Sequence, residues 1–163
     1  MSNVEDYLQQ QNVAWKSYSH SPACTAVARA EALERKHRID RRDVAKVLFL
    51  RCDHLIGKTK WIMAVLPAEQ RLDLSTASQS VGEKCRLATE EEIEHKFIWC
   101  SLGCFPALGG LFGVPEYIDP DLCKRDRIFF SAGQPTVSLE VGLDLLIQKE
   151  PRIEVDTLCV ARD

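Results

Sequence analysis

Apolar positions in this chain fall into runs with two different periods. Val44 to Leu50 is apolar on both parities except at Lys46, which predicts a strand covered on both faces. Trp61 to Leu66 repeats the pattern, and Pro67 is expected to stop it. Alternating runs at Val13–Tyr18, Arg127–Ala132 and Thr136–Val141 predict further strands, the last two joined as a hairpin around Gly133-Gln134-Pro135. Cys85–Ala88 and Glu116–Ile118 read as brief strands, and Asp53–Lys60, with Gly57, reads as a hairpin connection. Helical spacing predicts a short helix over 2–12, with Val4, Tyr7, Leu8 and Gln11 on one stripe. A second helix is expected from Ala26 to His37, capped by Thr25, with Val27, Ala30, Leu33 and His37 inward. A helix capped by Asp73 or Ser75 runs through Val81 and ends at Gly82. Thr89-Glu90-Glu91-Glu92 is a capping box that opens a helix to Phe97. Asp119-Pro120 starts a helical turn through Lys124, and Gly142–Lys149 forms the final helix.

Strands and helices are interspersed while hairpins recur, so the expected fold is one mixed α/β (α+β) domain. It spans residues 1–163, with its core at about 13–150 and a tail at 151–163 in which Val155–Val160 docks as an edge strand. Four glycines and two prolines stand among large apolar side chains between Cys100 and Pro115. A flexible linker lacks Phe and Leu, so this stretch reads as an ordered loop.

The bulk numbers narrow the function classes. The chain has 163 residues, 45% of them hydrophobic and 28% charged, as in an ordinary globular domain. No apolar run approaches the ~20 residues that span a bilayer, and the acidic, Gln-rich start is not a signal peptide. A cytoplasmic protein without membrane association is therefore expected. Seven cysteines, an odd number without a CxxC, read as unpaired thiols of a reducing compartment. Cys100 and Cys104 have three residues between them but no His pair follows at zinc-finger spacing, and Cys52-Asp53-His54 is a second metal-type fragment; structural zinc is not expected, nor is any cofactor. The net charge of −3 argues against a general nucleic-acid binder. Between Arg29 and Arg51, however, eight Lys/Arg face four acids, a local excess of four. Such a patch reads equally as a solvated helix end or as a surface for phosphate.

Candidate chemistry centres on Lys46. An ammonium on a doubly covered strand must reach solvent at the strand end or a polar pocket. Gly109-Gly110-x-x-Gly113 lacks the pattern of a dinucleotide site, and no Walker loop, HExxH or GxSxG occurs. Cys104 paired with a distant His reads more simply as a core or loop cysteine.

Ordered along the chain are Tyr18-x-His20-x-Pro22-Ala23-x-Thr25, Ala45-Lys46-Val47-Leu48, Ala64-Val65-Leu66-Pro67 and Arg71-Leu72-Asp73-Leu74. They are followed by Leu87-Ala88-Thr89-x-Glu91-Glu92, Gly103-x-x-Pro106-x-Leu108-Gly109, Tyr117-Ile118-Asp119, Ser131-Ala132-Gly133 and Ser138-Leu139-Glu140-Val141. In this set the chain resembles the YbaK/ProX-type aminoacyl-tRNA deacylases, free-standing relatives of the editing domain of bacterial prolyl-tRNA synthetases. The resemblance runs from about Tyr18 to Ile147. It implies a barrel-like mixed sheet with helices around it, and metal-independent hydrolysis of the ester between a wrong amino acid and its tRNA. It implies that Lys46 stands at the pocket mouth and that Gly103 to Pro106 lines the reacting carbonyl, making Lys46 and Gly103 the catalytic candidates. Tyr18, His20, Thr25, Phe105, Pro106, Gly133 and Ser138 become substrate-binding candidates, and Arg38, Arg41 and Arg42 candidates for the tRNA.

An aminoacyl ester is already activated, so orientation, an oxyanion partner and a placed water suffice. Backbone N–H groups at Gly103 fit the oxyanion role, because glycine allows close approach. Lys46 fits either the terminal phosphate or the carbonyl. Phe105, Leu108 and Phe112 are expected to wall a small pocket that excludes large acyl groups. The implied reaction is trans-editing: removal of a small residue such as alanine, cysteine or serine from tRNA, that of proline above all, with a synthetase as a further partner. Two positions depart from the family pattern. Val47 follows the lysine where a small polar residue is common, and Ser138 stands where one type of relative is acidic. Val47 favours the alternative, a catalytically silent adaptor that binds tRNA 3′ ends or a synthetase.

Overall fold

The computed structural model describes residues 3–53 and 59–160. The connection expected around Gly57 and the histidine of Cys52-Asp53-His54 lie outside the described residues. Helix α1 (Asn3–Gln10) packs Val4 and Leu8 inward and leads into β1 (Trp15–Ser19). Helix α2 (Ala26–His37) starts where Thr25 accepts a hydrogen bond from Ala28 N–H, and ends at Arg38 in the left-handed region. Strands β2 (Ala45–Asp53) and β3 (Thr59–Pro67) pair antiparallel over their whole length, Pro67 included, opposite Ala45. Then come α3 (Leu74–Val81), β4 (Cys85–Leu87), α4 (Glu90–Lys96), α5 (Gly109–Phe112), β5 (Glu116–Ile118), β6 (Arg127–Ser131), β7 (Val137–Gly142), α6 (Leu143–Lys149) and β8 (Ile153–Val155). Asp73 caps α3, and Thr89 with Glu92 closes the capping box of α4.

Two sheets form instead of the expected barrel. One is antiparallel, in the order β1-β7-β6; the other is mixed, in the order β4-β2-β3-β5-β8. They meet at one bridge, Val44 with Phe129. Closing a barrel requires β6 to run along β2, whereas β4 takes that edge only opposite Leu50–Cys52. From Ala45 to Leu48 the outer edge of β2 therefore carries no strand, and a gap opens between the sheets. Asp43 fixes the start of β2 through its carboxylate, 2.6 Å from Arg125 Nε.

Both faces of β2 are covered, as its composition predicts. Ala45 and Phe49 face the larger core, with Val47 packed against it, while Leu50 and Cys52, with Leu48, face a second cluster. Around Phe49 the rings of Phe97, Phe105 and Phe112 lie with centroids 4.6, 5.0 and 5.1 Å away. This aromatic cluster clamps the segment 97–112 onto β2, and it explains the order expected of that loop.

Four local expectations are corrected. Val27 is 40% exposed, and the inward stripe of α2 is Arg29, Ala30, Ala32 and Leu33. His37 turns its Nε2 to the Ser19 carbonyl. The edge strand of the tail is β8, parallel to β5, while Leu158 and Cys159 dock as buried residues beyond it. Cys52 and Cys85 are joined by a disulfide, against the reading of all seven cysteines as thiols. They stand opposite each other on β2 and β4, and this pairing brings their Cα atoms to 4.1 Å. Antiparallel neighbours outside the hydrogen-bonded pairs approach most closely, and no local pattern reveals such a partner.

Candidate functional site

The gap between the sheets is a cavity of about 350 Å³. Its walls are the bare edge of β2 from Ala45 to Leu48, the start of α2 with Thr25 and Arg29, and the loop with Gly103 and Phe105; Ser131 closes it. A groove of about 380 Å³ beside Arg51 and Trp61 and a hollow alongside α3 are wider to solvent.

Lys46 is half-buried and donates from Nζ to the Gln70 carbonyl at 2.8 Å. An ammonium has three donors, so two remain for a ligand. Burial lowers its pKa from the usual lysine value. Gly103 adopts φ +77°, and a Cβ there would run into the carbonyl oxygen of Cys24. Only glycine lets the loop lie this close to the turn that opens α2. In this loop Cys104 N–H donates to the Ser101 carbonyl at 3.0 Å. The N–H groups of Gly103 and Phe105 meet no acceptor among the described residues. Phe105 both lines the cavity and packs on Phe49. Leu108 and Phe112 belong to the core and do not line the cavity.

His20 and Ser138 are buried just behind this wall. His20 Nδ1 lies 2.8 Å from the Ser21 carbonyl, so it carries the proton, and Nε2 accepts from Ser138 Oγ at 2.8 Å. Burial lowers the His20 pKa, which matches the neutral ring. Ser138 Oγ in turn accepts from Arg29 Nη1 at 2.9 Å. Arg29, unremarked in the sequence except as part of a basic patch, thus anchors the network. Its spacing of four from Leu33 is the signal that places it inward.

The remaining candidates lie elsewhere. Tyr18 donates to Glu140 at 2.8 Å and packs edge-on against His37 and Phe129. Pro106 is buried beyond Phe105, and Gly133 turns the β6–β7 hairpin beside a separate hollow with Asn3 and Trp99. Arg38 caps the far end of α2, roughly 20 Å along the helix from Thr25 at 1.5 Å per residue. Arg41 is paired with Glu34 and Glu69, and Arg42 with Asp40. Among the described residues, no group of three His, Cys, Asp or Glu is placed to hold a metal ion. No helix among them is long and apolar enough to cross a membrane.

The chain is thus a two-sheet α/β domain whose sheets part around a cavity lined by Arg29, Lys46 and Gly103. Comparison with known proteins names the family. Residues 24–148 match the aminoacyl-tRNA editing domain, and the chain belongs to that family. The fold is shared with the hypothetical protein APE2540, at 17% identity and TM-score 0.79, over 95% of this chain and 98% of that one. It is also shared with a protein described as a candidate trans-editing enzyme for prolyl tRNA synthetase, at 21% identity and TM-score 0.76, over 98% and 96% of the two chains. No curated protein matches the sequence.

Proposed function

We propose that this chain is a deacylase of the cytoplasm that hydrolyses the ester of mischarged aminoacyl-tRNA. The observation that carries the reading is that one cavity is lined by a half-buried lysine and by Gly103 and Phe105, whose backbone N–H groups meet no acceptor among the described residues. Donors fixed where charge develops on an ester oxygen cost no reorganisation during reaction. Gly103 and Phe105 hold the oxyanion, while Lys46 grips the terminal phosphate or the carbonyl. Thr25 and Phe105 flank the acyl group; His20 and Ser138 support it through Arg29 and not by direct contact. The neighbouring ribose hydroxyl of the substrate takes part in proton transfer. A narrow cavity suits a small acyl group such as alanyl, cysteinyl or seryl, on proline tRNA among others. Arg38, with Arg41 and Arg42, extends the contact to the tRNA body.

The test is release of the amino acid from a panel of mischarged tRNAs. We expect wild-type protein to deacylate at least one small-residue ester, and Lys46→Ala to slow it by about 100-fold at unchanged melting temperature. Binding without release from any tRNA favours the silent adaptor that Val47, which lines the cavity, suggests. Equal rates for Lys46→Ala and wild type would refute the role of Lys46.

A further inference from the structure

Arg29 is 2% exposed, yet it forms part of the cavity wall. Its guanidinium meets only neutral groups. Nη1 donates to Ser138 Oγ at 2.9 Å and to the Val137 carbonyl at 3.3 Å, with His20 Nε2 at 3.4 Å. Nη2 donates to the Ala23 carbonyl at 3.2 Å and lies 3.7 Å from Cys104 Sγ. No carboxylate among the described residues pairs with it, and no residue lining the cavity is acidic. Burial pulls the Arg29 pKa down from its usual value, yet an arginine keeps its proton in a protein. An uncompensated buried charge is costly, so the cavity favours an arriving anion.

Depth decides which anion. Gly103 is exposed, Lys46 half-buried and Arg29 buried, and all three line the cavity. An acyl group whose carbonyl sits at Gly103 extends its side chain inward. The 5′ phosphate is on the other side of the ribose and stays at the mouth, near Lys46. We infer that Arg29 selects aminoacyl groups whose side chain ends in a carboxylate, aspartyl foremost, over neutral groups of the same shape. This rests on the deacylase reading and places aspartyl ahead of alanyl, cysteinyl and seryl.

Stable amides of 3′-amino-3′-deoxyadenosine bearing aspartyl or asparaginyl groups, each with and without a 5′ phosphate, test it by calorimetry. We expect wild-type protein to bind the aspartyl amide about 10- to 100-fold tighter than its asparaginyl isostere, the worth of one charge-assisted contact. That ratio should vanish in Arg29→Met and shrink in Arg29→Lys, which keeps the charge but cannot hold Ser138 and the Ala23 carbonyl together and so leaves it less firmly placed. The 5′ phosphate should contribute equally in wild type and Arg29→Met. A ratio near one in wild type overturns the inference without help from any variant. So does a ratio that survives in Arg29→Met, or a loss of phosphate dependence there instead. Wild-type hydrolysis of alanyl-tRNA with no aspartyl preference sinks this inference and leaves the deacylase reading standing. A tenfold ratio without hydrolysis of any ester supports the carboxylate site and sinks the deacylase reading.

Discussion

Gly103→Ala isolates the geometric demand of the cavity. Gly103 and Gly113 both hold positive φ, +77° and +72°, so alanine at either position takes on left-handed strain of about 1–2 kcal/mol. At Gly113 nothing lies within 4 Å of an added Cβ, so the strain is the whole cost. At Gly103 the methyl meets backbone, the Cys24 carbonyl, which has no rotamer by which to retreat. The loop or the turn before α2 must move by about an ångström, and displacement on that scale costs about 100-fold in a positioned reaction. Urea unfolding and single-turnover deacylation on both variants provide the comparison. Gly113→Ala should lose about 1–2 kcal/mol and keep its rate. Gly103→Ala should lose at least as much stability and about 100-fold in rate. Equal behaviour of the two variants in both assays would refute the claim that close approach at Gly103 shapes the site.

Two further outcomes follow from charge. Glu116 is 1% exposed; its Oε1 accepts from Gly109 N–H at 2.6 Å, and its Oε2 has no partner among the described residues. Desolvation raises its folded pKa well above 4.5, so its stabilising contribution is complete below the unfolded value and is lost as pH rises through the folded one. Glu116→Gln keeps the acceptor and cannot ionise, so its stability relative to wild type should climb between pH 5 and 8; a flat difference in melting temperature contradicts this. Arg38 is exposed and has no ion-pair partner among the described residues, whereas Asp40 already neutralises Arg42. Arg38→Ala should therefore weaken tRNA binding and lower its salt slope by about 1, more than Arg42→Ala does; filter binding at graded salt shows no change for Arg38→Ala if the basic end of α2 is only solvated.

Where a rule acts within one turn of chain, the fold is legible in the residues themselves. Thr25 caps α2 at the expected place, Thr89 and Glu92 close their box, and Glu116–Ile118 is a strand with the expected bounds. The cavity was legible in part, because Thr25, Lys46, Gly103 and Phe105 all line it. What stayed hidden depends on distant partners. The missing barrel closure rests on β4 and not β6 taking the edge of β2, and the Cys52–Cys85 bond rests on that same register. Arg29 escaped notice because arginine is rarely buried, so an arginine in a basic run reads as surface. His20 and Ser138, read separately as substrate-binding candidates, are joined by a hydrogen bond that turns them toward each other and Arg29, and neither lines the cavity.

The central claim is that the gap between the two sheets receives the acylated end of tRNA. Backbone amide NMR, with a stable alanyl amide of 3′-amino-3′-deoxyadenosine titrated into the protein, tests it most directly. The account predicts saturable shifts gathered on Thr25–Arg29, Ala45–Leu48 and Gly103–Phe105. Shifts confined instead to the groove of Arg51 and Trp61, or none at millimolar ligand, would contradict it.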